Sequence, residues 1–182
     1  MKEITFVTGN ERKMIEATAA CSDAGIKVNQ FRADIDEIQH HDSLKISVNK
    51  AEQAYERTGK PTIINDESWN IPALNGFPGG YMKDVNEWFT PEDFIVLMSN
   101  KTDRRICCNQ TIIYIDDHQT KVFSKEYWGE FSYEPRGIGN SLERVAVFNG
   151  KTFGEFKESD ELAFDPKDFI WQHFVDWYTK NT

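Results

Sequence analysis

The stretch FVTGNERK, residues 6–13, places side chains and backbone where phosphate chemistry could begin. An apolar run breaks into Thr8-Gly9-Asn10 and gives way to a charged helical pattern that holds Lys13. Backbone N–H groups at a strand-to-helix turn can cradle phosphate oxygens, helped by the helix dipole, and a lysine one turn on adds a point charge. The same residues also suit an ordinary capped helix with a surface lysine. A second stretch, IINDES, puts Asp66 after apolar Ile63 and Ile64, at a strand's end, where sites in open α/β sheets usually lie. Glu67 doubles the negative charge there, which a magnesium ion could offset; a turn-forming Asp is the other reading. NGFPGGYMK joins a glycine-rich loop to Lys83, and Asp36, Glu37 and Asp42 form an acidic run that also suits a solvated loop. His40 and His41 are adjacent, so on a helix or strand they would project apart, and no further His stands at ligand spacing.

These groups need elements to position them. Ile4–Val7 reads as a short buried strand, followed by a helix capped by Asn10 or Thr8, with Met14, Thr18, Cys21 and Gly25 near helical spacing. GIKVNQF reads as a second strand, and Ser43 or Asp42 as the cap of a helix carrying Leu44, Val48, Ala51 and Tyr55 on one face. GKPTIIND returns to a strand expected to end at Asp66, and ALNGFPGGY is turn chemistry. TPEDFIVLMS predicts a helix with a Thr cap and Pro91 at its first position. RRICCNQTIIYID and KVFSKEYWGEF alternate around the polar turn DDHQ, a hairpin pattern, and EPRGIGNS is a loop. The last helix is expected to open at Asp165-Pro166, with Phe169, Ile170, Phe174, Trp177 and Tyr178 on its apolar face. Strand–helix alternation followed by a hairpin predicts an α/β fold with a mixed sheet.

The bulk properties exclude several classes. At 182 residues, 39% hydrophobic and 28% charged, the chain can bury a sizeable core, and its 13% aromatic content is high. A formal net charge of −9 argues against a nucleic-acid partner, because backbone phosphates require clustered Lys and Arg. A small anion would need a local basic pocket and a divalent cation. Cys21, Cys107 and Cys108 show no CxxC or Cys/His spacing, which predicts reduced thiols rather than a zinc site or disulfides. No signal-peptide pattern opens the chain and no apolar run approaches a membrane span, so a cytoplasmic protein without a membrane partner is expected.

Taken in order, TGNxxK, an acidic connector before a helix, a strand with Asp66 and then LNGFPGGYxK resemble the inosine-triphosphate pyrophosphatase family. The resemblance is sharpest in FVTGNERK, in DEIQHHD with NKAEQAY, and in INDESWNIPALNGFPGGYMK, and it continues to EPRG at 134–137. It implies an elongated mixed β-sheet flanked by helices, one domain over 1–182 made of two lobes with a central cleft, and a homodimer. It also implies magnesium-dependent hydrolysis of a nucleoside triphosphate to the monophosphate and pyrophosphate. By position, Thr8, Gly9, Asn10 and Lys13 would hold the triphosphate, with Lys83 contacting phosphate. Asp66 would bind metal and activate water, and Asp42 and Glu37 would be further metal-binding acids.

The second half departs from the family pattern. IGNSLERVAVFNG stands where a glycine-rich FGYDP-type motif is expected, and Asp165-Pro166-Lys167 replaces a Ser-His-Arg at the start of the last helix. Glu67 replaces the serine that follows the family's catalytic Asp and, by that position, is expected among the substrate-binding residues, a like charge near phosphate. The phosphate and metal half is therefore retained while base recognition is rewritten, and Arg136 and Lys167 are the cations expected near substrate there. Arg144, Lys151, Trp69, Phe148, Phe153 and Trp171 could build another base pocket, or the aromatics could simply be core. The reading is a pyrophosphatase with altered base selection. The alternatives are a catalytically weak member that binds nucleotide or a partner, and a hydrolase of another phosphorylated nucleotide.

Overall fold

The computed structural model describes residues 2–161, 163–164 and 169–182. No helix among them is long and apolar enough to cross a membrane. Eight strands form one sheet in the order β2-β1-β3-β5-β6-β7-β8, with β4 paired to β3. The strands are β1 (Lys2–Val7), β2 (Ile26–Phe31), β3 (Thr62–Ile71), β4 (Phe77–Gly79), β5 (Arg105–Ile115), β6 (Thr120–Phe131), β7 (Ala146–Phe148) and β8 (Lys151–Thr152). The helices are α1 (Glu11–Ser22), α2 (Ser43–Thr58), α3 (Met82–Trp88), α4 (Pro91–Met98), α5 (Phe153–Ser159) and α6 (Ile170–Asn181). β1 pairs parallel with β2 and β3, whereas β4, β7 and β8 pair antiparallel, so the sheet is mixed as expected.

The chain forms two compact units, one within 1–67, 110–125 and 167–182 and the other within 68–109 and 126–166. In the first unit two apolar clusters pack on opposite faces of the sheet. Ile4, Phe6 and Ile63 lie with Ala17 and Cys21 of α1 and Ile170, Trp171 and Phe174 of α6. Val7, Ile64 and Ile113 lie with Ala51 and Ala54 of α2. Strand alternation produces this division: neighbouring Ile63 and Ile64 point to opposite faces, one toward α1 and α6, the other toward α2. All three cysteines are free and buried.

Most element expectations hold, with differences at ends and faces. Asn10 caps α1, accepting from Arg12 and Lys13 N–H, and Asp42 caps α2, accepting from Leu44 N–H at 3.0 Å. The inward residues of α2 are Ser47, Ala51 and Ala54, while Leu44 is exposed; α1 buries Ala17 and Cys21 rather than Thr18. β3 does not stop at Asp66. It continues to Ile71 because Trp69 and Ile71 keep the alternation and pair with Gly79 and Phe77 of β4. His40 and His41 do not diverge, since their segment is neither helix nor strand and their rings stack at 4.3 Å. Phe169 occupies the cap position of α6, without a side-chain bond; the expected opening at Asp165-Pro166 and the substrate candidate Lys167 lie outside the described residues.

The second unit spends its aromatics on packing. Phe77, Phe89, Phe94 and Phe131 form one chain of ring contacts, and Trp69, Phe148 and Phe153 form another. Trp69, Phe148 and Phe153, and Trp171 in the first unit, are therefore core residues, not the walls of an open base pocket. The segment standing in for the FGYDP-type motif is tied down from within. Buried Glu143 accepts from the Lys157 ammonium and from Asn140 N–H, while the Asn140 side chain accepts from Glu143 N–H. Arg144 donates to the Gly137 carbonyl and Lys151 to Glu161, so both are engaged within the unit.

Gly137 of the EPRG loop lies where no side chain fits. Its φ is +72°, and a Cβ would stand 2.2 Å from both Glu155 N and Gly154 C. Gly137→Ala should cost about 2 kcal/mol or more through left-handed strain and a backbone clash. Urea denaturation checks this, and a change under about 0.5 kcal/mol would contradict the packing described.

Candidate functional site

The alternation that divides the core also builds the site. β3 continues past Ile63 and Ile64 into Asn65, Asp66 and Glu67, so Asp66 shares a face with Ile64 and points toward α2, while Asn65 and Glu67 share a face with Ile63 and point toward α1. Each helix answers with charged residues on its inward side. Lys50 lies one turn beyond Ser47 and beside Ala51 on the buried face of α2, and its Nζ donates to Asp66 Oδ1 at 2.7 Å. The same ammonium donates to Glu37 Oε1 at 2.7 Å, so one lysine bridges two carboxylates. From α1, Lys13 Nζ donates to the Asn65 carbonyl at 2.7 Å. Lys13 is thus drawn into the fold, not left on the surface.

Asp66 Oδ2 is buried and makes no hydrogen bond. Burial alone would raise the Asp66 pKa, but the charges of Lys50 and Lys13 outweigh it and hold the carboxyl below its ordinary value. Burial likewise opposes the Lys50 charge, and Asp66 and Glu37 together overcome it and raise that pKa. At Lys13 burial prevails over the attraction of Asp66 and Glu67, and the pKa is lowered. Glu16, one turn along α1, is raised by burial and by the like charge of Glu67, against the pull of Arg12.

The amino-terminal turn stands beside this group. Asn10 uses its side-chain oxygen to cap α1, and Thr8 Oγ1 accepts from Asn10 N–H at 3.1 Å, so both side chains shape the turn. Gly9 has nothing within 4 Å of where a Cβ would stand, which leaves its backbone open to an approaching group. Asp42 is committed to its cap. It lies eight residues before Lys50, roughly 12 Å along the helix at 1.5 Å per residue. Among the described residues no group of three or more His, Cys, Asp or Glu is assembled to hold a metal. The first unit therefore brings together Lys13, Asp66 and Glu37, and adds Lys50, Glu16 and the Asn65 carbonyl. Lys83 and Arg136 belong to the second unit. Lys83 is exposed on α3, and Arg136 is half-buried with its Nε 3.6 Å from Glu155 Oε2 and its carbonyl accepting from Thr152 Oγ1.

Lys50 is the residue the sequence reading missed. Its signal was available: a lysine at the i, i+3, i+4, i+7 positions that otherwise carry Ser47, Ala51 and Ala54 is a charge on an inward face, which demands a partner.

Comparison with known proteins agrees with the fold and the motifs. A dITP/XTP pyrophosphatase of Methanosarcina mazei is 29% identical over 180 residues, covering 98% of each chain. Inosine triphosphate pyrophosphatase 1 of Trypanosoma cruzi is 29% identical over 170 residues, covering 91% of this chain and 86% of its own. The structure of a HAM1 protein from Coxiella burnetii superposes with a TM-score of 0.83 at 20% identity, covering 99% of this chain and all of that one. The pattern of the Ham1 family matches residues 4–167. The chain belongs to the Ham1 family, that of the inosine-triphosphate pyrophosphatases.

Proposed function

We propose that this protein is a nucleoside-triphosphate pyrophosphatase that hydrolyses non-canonical nucleotides to the monophosphate and pyrophosphate, with base selection altered from that of its relatives. The names of the relatives, dITP/XTP and inosine triphosphate pyrophosphatases, support the substrate class. The observation that carries the reading is the half-buried Asp66 carboxylate, whose Oδ2 is fully enclosed. It is held ionised by two lysines and keeps one oxygen without a partner.

The residues fit a divalent cation. Asp66 Oδ2 lacks a partner, and Asp66 and Glu37 converge on a single positive charge, which matches the one or two carboxylates that Mg2+ takes from a protein before substrate phosphates complete its shell. Asp66 and Glu37 would hold the ion, and Asp42 remains a cap. Bound there, Mg2+ neutralises phosphate oxygens and lowers the pKa of water. Asp66 orients the attacking water and can take its proton. Lys13 supplies a charge to the phosphates, and Thr8 and Asn10, whose own N–H groups donate to the Phe31 carbonyl and to Thr8 Oγ1, shape a turn that leaves the Gly9 backbone open to them. Lys83, Arg136 and Lys167 are carried as phosphate and substrate contacts by their place in the family motifs. Glu67 sets the charge felt by Lys13 and Glu16. The homodimer and the cytoplasmic location belong to the same reading.

Incubation of the purified protein with a nucleotide panel and Mg2+ tests the proposal. Asp66→Asn should lower pyrophosphate release by about 10²–10⁴-fold, the span of a positioned general base. Release of orthophosphate without pyrophosphate would exclude attack at the α-phosphorus, and tight binding without any release would instead mark a nucleotide-binding member.

Lys13→Ala should weaken triphosphate binding by about 10–100-fold, as expected for a charged hydrogen bond, and monophosphate binding much less. Equal losses in calorimetry would contradict its placement. Gly9→Ala should leave the melting temperature unchanged, since the added methyl meets open space, yet weaken triphosphate binding by obstructing the backbone. Unchanged affinity would remove the turn from the site.

A further inference from the structure

Lys50 does more than neutralise Asp66. Its ammonium lies 2.7 Å from Asp66 Oδ1 and 2.7 Å from Glu37 Oε1, at the point where two carboxylates from different segments converge. A compact cation bridging these oxygens would take nearly the same position. We propose that the Lys50 ammonium is an internal occupant of the divalent-cation seat, and that the ion enters by displacing it. This rests on the functional reading above and adds a property of that site: in the absence of nucleotide, the protein discriminates against free divalent ions.

Three features support the exchange. First, Asp66 and Glu37 would hold the ion through the carboxylates that now hold the ammonium, so the two cations compete for one pair of acids and repel each other. Second, Lys50 has a four-carbon stem with free rotation, and its side chain is 22% exposed, which leaves it a route toward solvent. Third, the ammonium satisfies Oδ1 of Asp66 but leaves buried Oδ2 without a partner. The lysine therefore fills the seat incompletely, and an ion with a shell of water and phosphate oxygens could satisfy both.

The arrangement has a physical purpose. An uncompensated Asp66 carboxylate beside the core would carry a desolvation cost, so the site without an ion would splay or protonate, whereas Glu37 is exposed. An ammonium tethered to α2 keeps it assembled. The same ammonium competes with free Mg2+, whereas an ion arriving with a polyanion brings negative charge that offsets the exchange.

The test uses Mg2+ alone, without nucleotide, so its outcome is independent of whether the protein releases pyrophosphate. In calorimetry the wild-type chain should bind Mg2+ weakly. Lys50→Met, which keeps the stem and removes the charge, should bind it about tenfold or more tightly and gain a larger rise in melting temperature with Mg2+. Lys50→Arg, which keeps a cation, should show no gain. Should Lys50→Met fail to fold, lysine acylation of the wild-type protein read by mass spectrometry decides: near-saturating Mg2+ should speed modification of Lys50 relative to EDTA, with exposed Lys45 on the same helix unchanged. Equal Mg2+ affinity in wild type and Lys50→Met, or a Lys50 acylation rate indifferent to Mg2+, would overturn the exchange.

Discussion

A carboxylate set within a strand of the sheet must be compensated, and the first unit of this protein is organised around that requirement at Asp66. Lys50 reaches it from α2 by a direct ion pair, and Lys13 acts on it from α1 through its charge while its own ammonium is anchored to the Asn65 carbonyl. Removing one member of a largely enclosed pair leaves the other uncompensated, which costs stability. Neither lysine is therefore an ornament of the helix that bears it. The two hold a charged strand residue beside an apolar core, and in doing so they create a concentrated, ion-ready charge.

The division of labour follows from the pleat. Because successive residues of β3 face opposite layers, Asp66 and Glu67 are neighbours in sequence but answer to different helices. Asp66 is lowered by its lysines, whereas the charge of Glu67 falls on Lys13 and on Glu16, whose pKa it helps burial to raise. An adjacent acid that looks like simple like-charge repulsion in the sequence is thus distributed across two environments. It sharpens the contrast between a carboxylate kept ionised and one pushed toward protonation.

The second unit secures its loops with bonds of its own. Glu143 ties its loop through Lys157 and Asn140, Gly137 packs against the backbone of Gly154 and Glu155, and the Thr152–Glu155 capping box starts α5. These bonds are internal to the unit. The high aromatic content is explained here as well: the rings fill a core built from short strands and short helices.

Local features were legible where the physics is local. The caps at Asn10, Thr90 and Asp42, the β5–β6 hairpin and the parallel entry strands follow from hydrogen-bonding side chains and from periodicity within a few residues. The β7–β8 hairpin carries an equally local signal, Asn149-Gly150 with both φ positive. The candidate site was half legible. Lys13, Glu37 and Asp66 could be named from their order along the chain, and residues 4–167 carry the family pattern on which that order rests. The sequence by itself determined the residue types, the element order and the capped turn, because each depends on neighbours along the chain. Tertiary structure alone decided that Asp66 meets α2 while Glu67 meets the α1 side, and that Lys50 bridges Glu37 and Asp66. Those outcomes depend on which helix covers which face of β3: spacing along α2 shows that Lys50 needs a partner, but only long-range packing decides which carboxylates it meets.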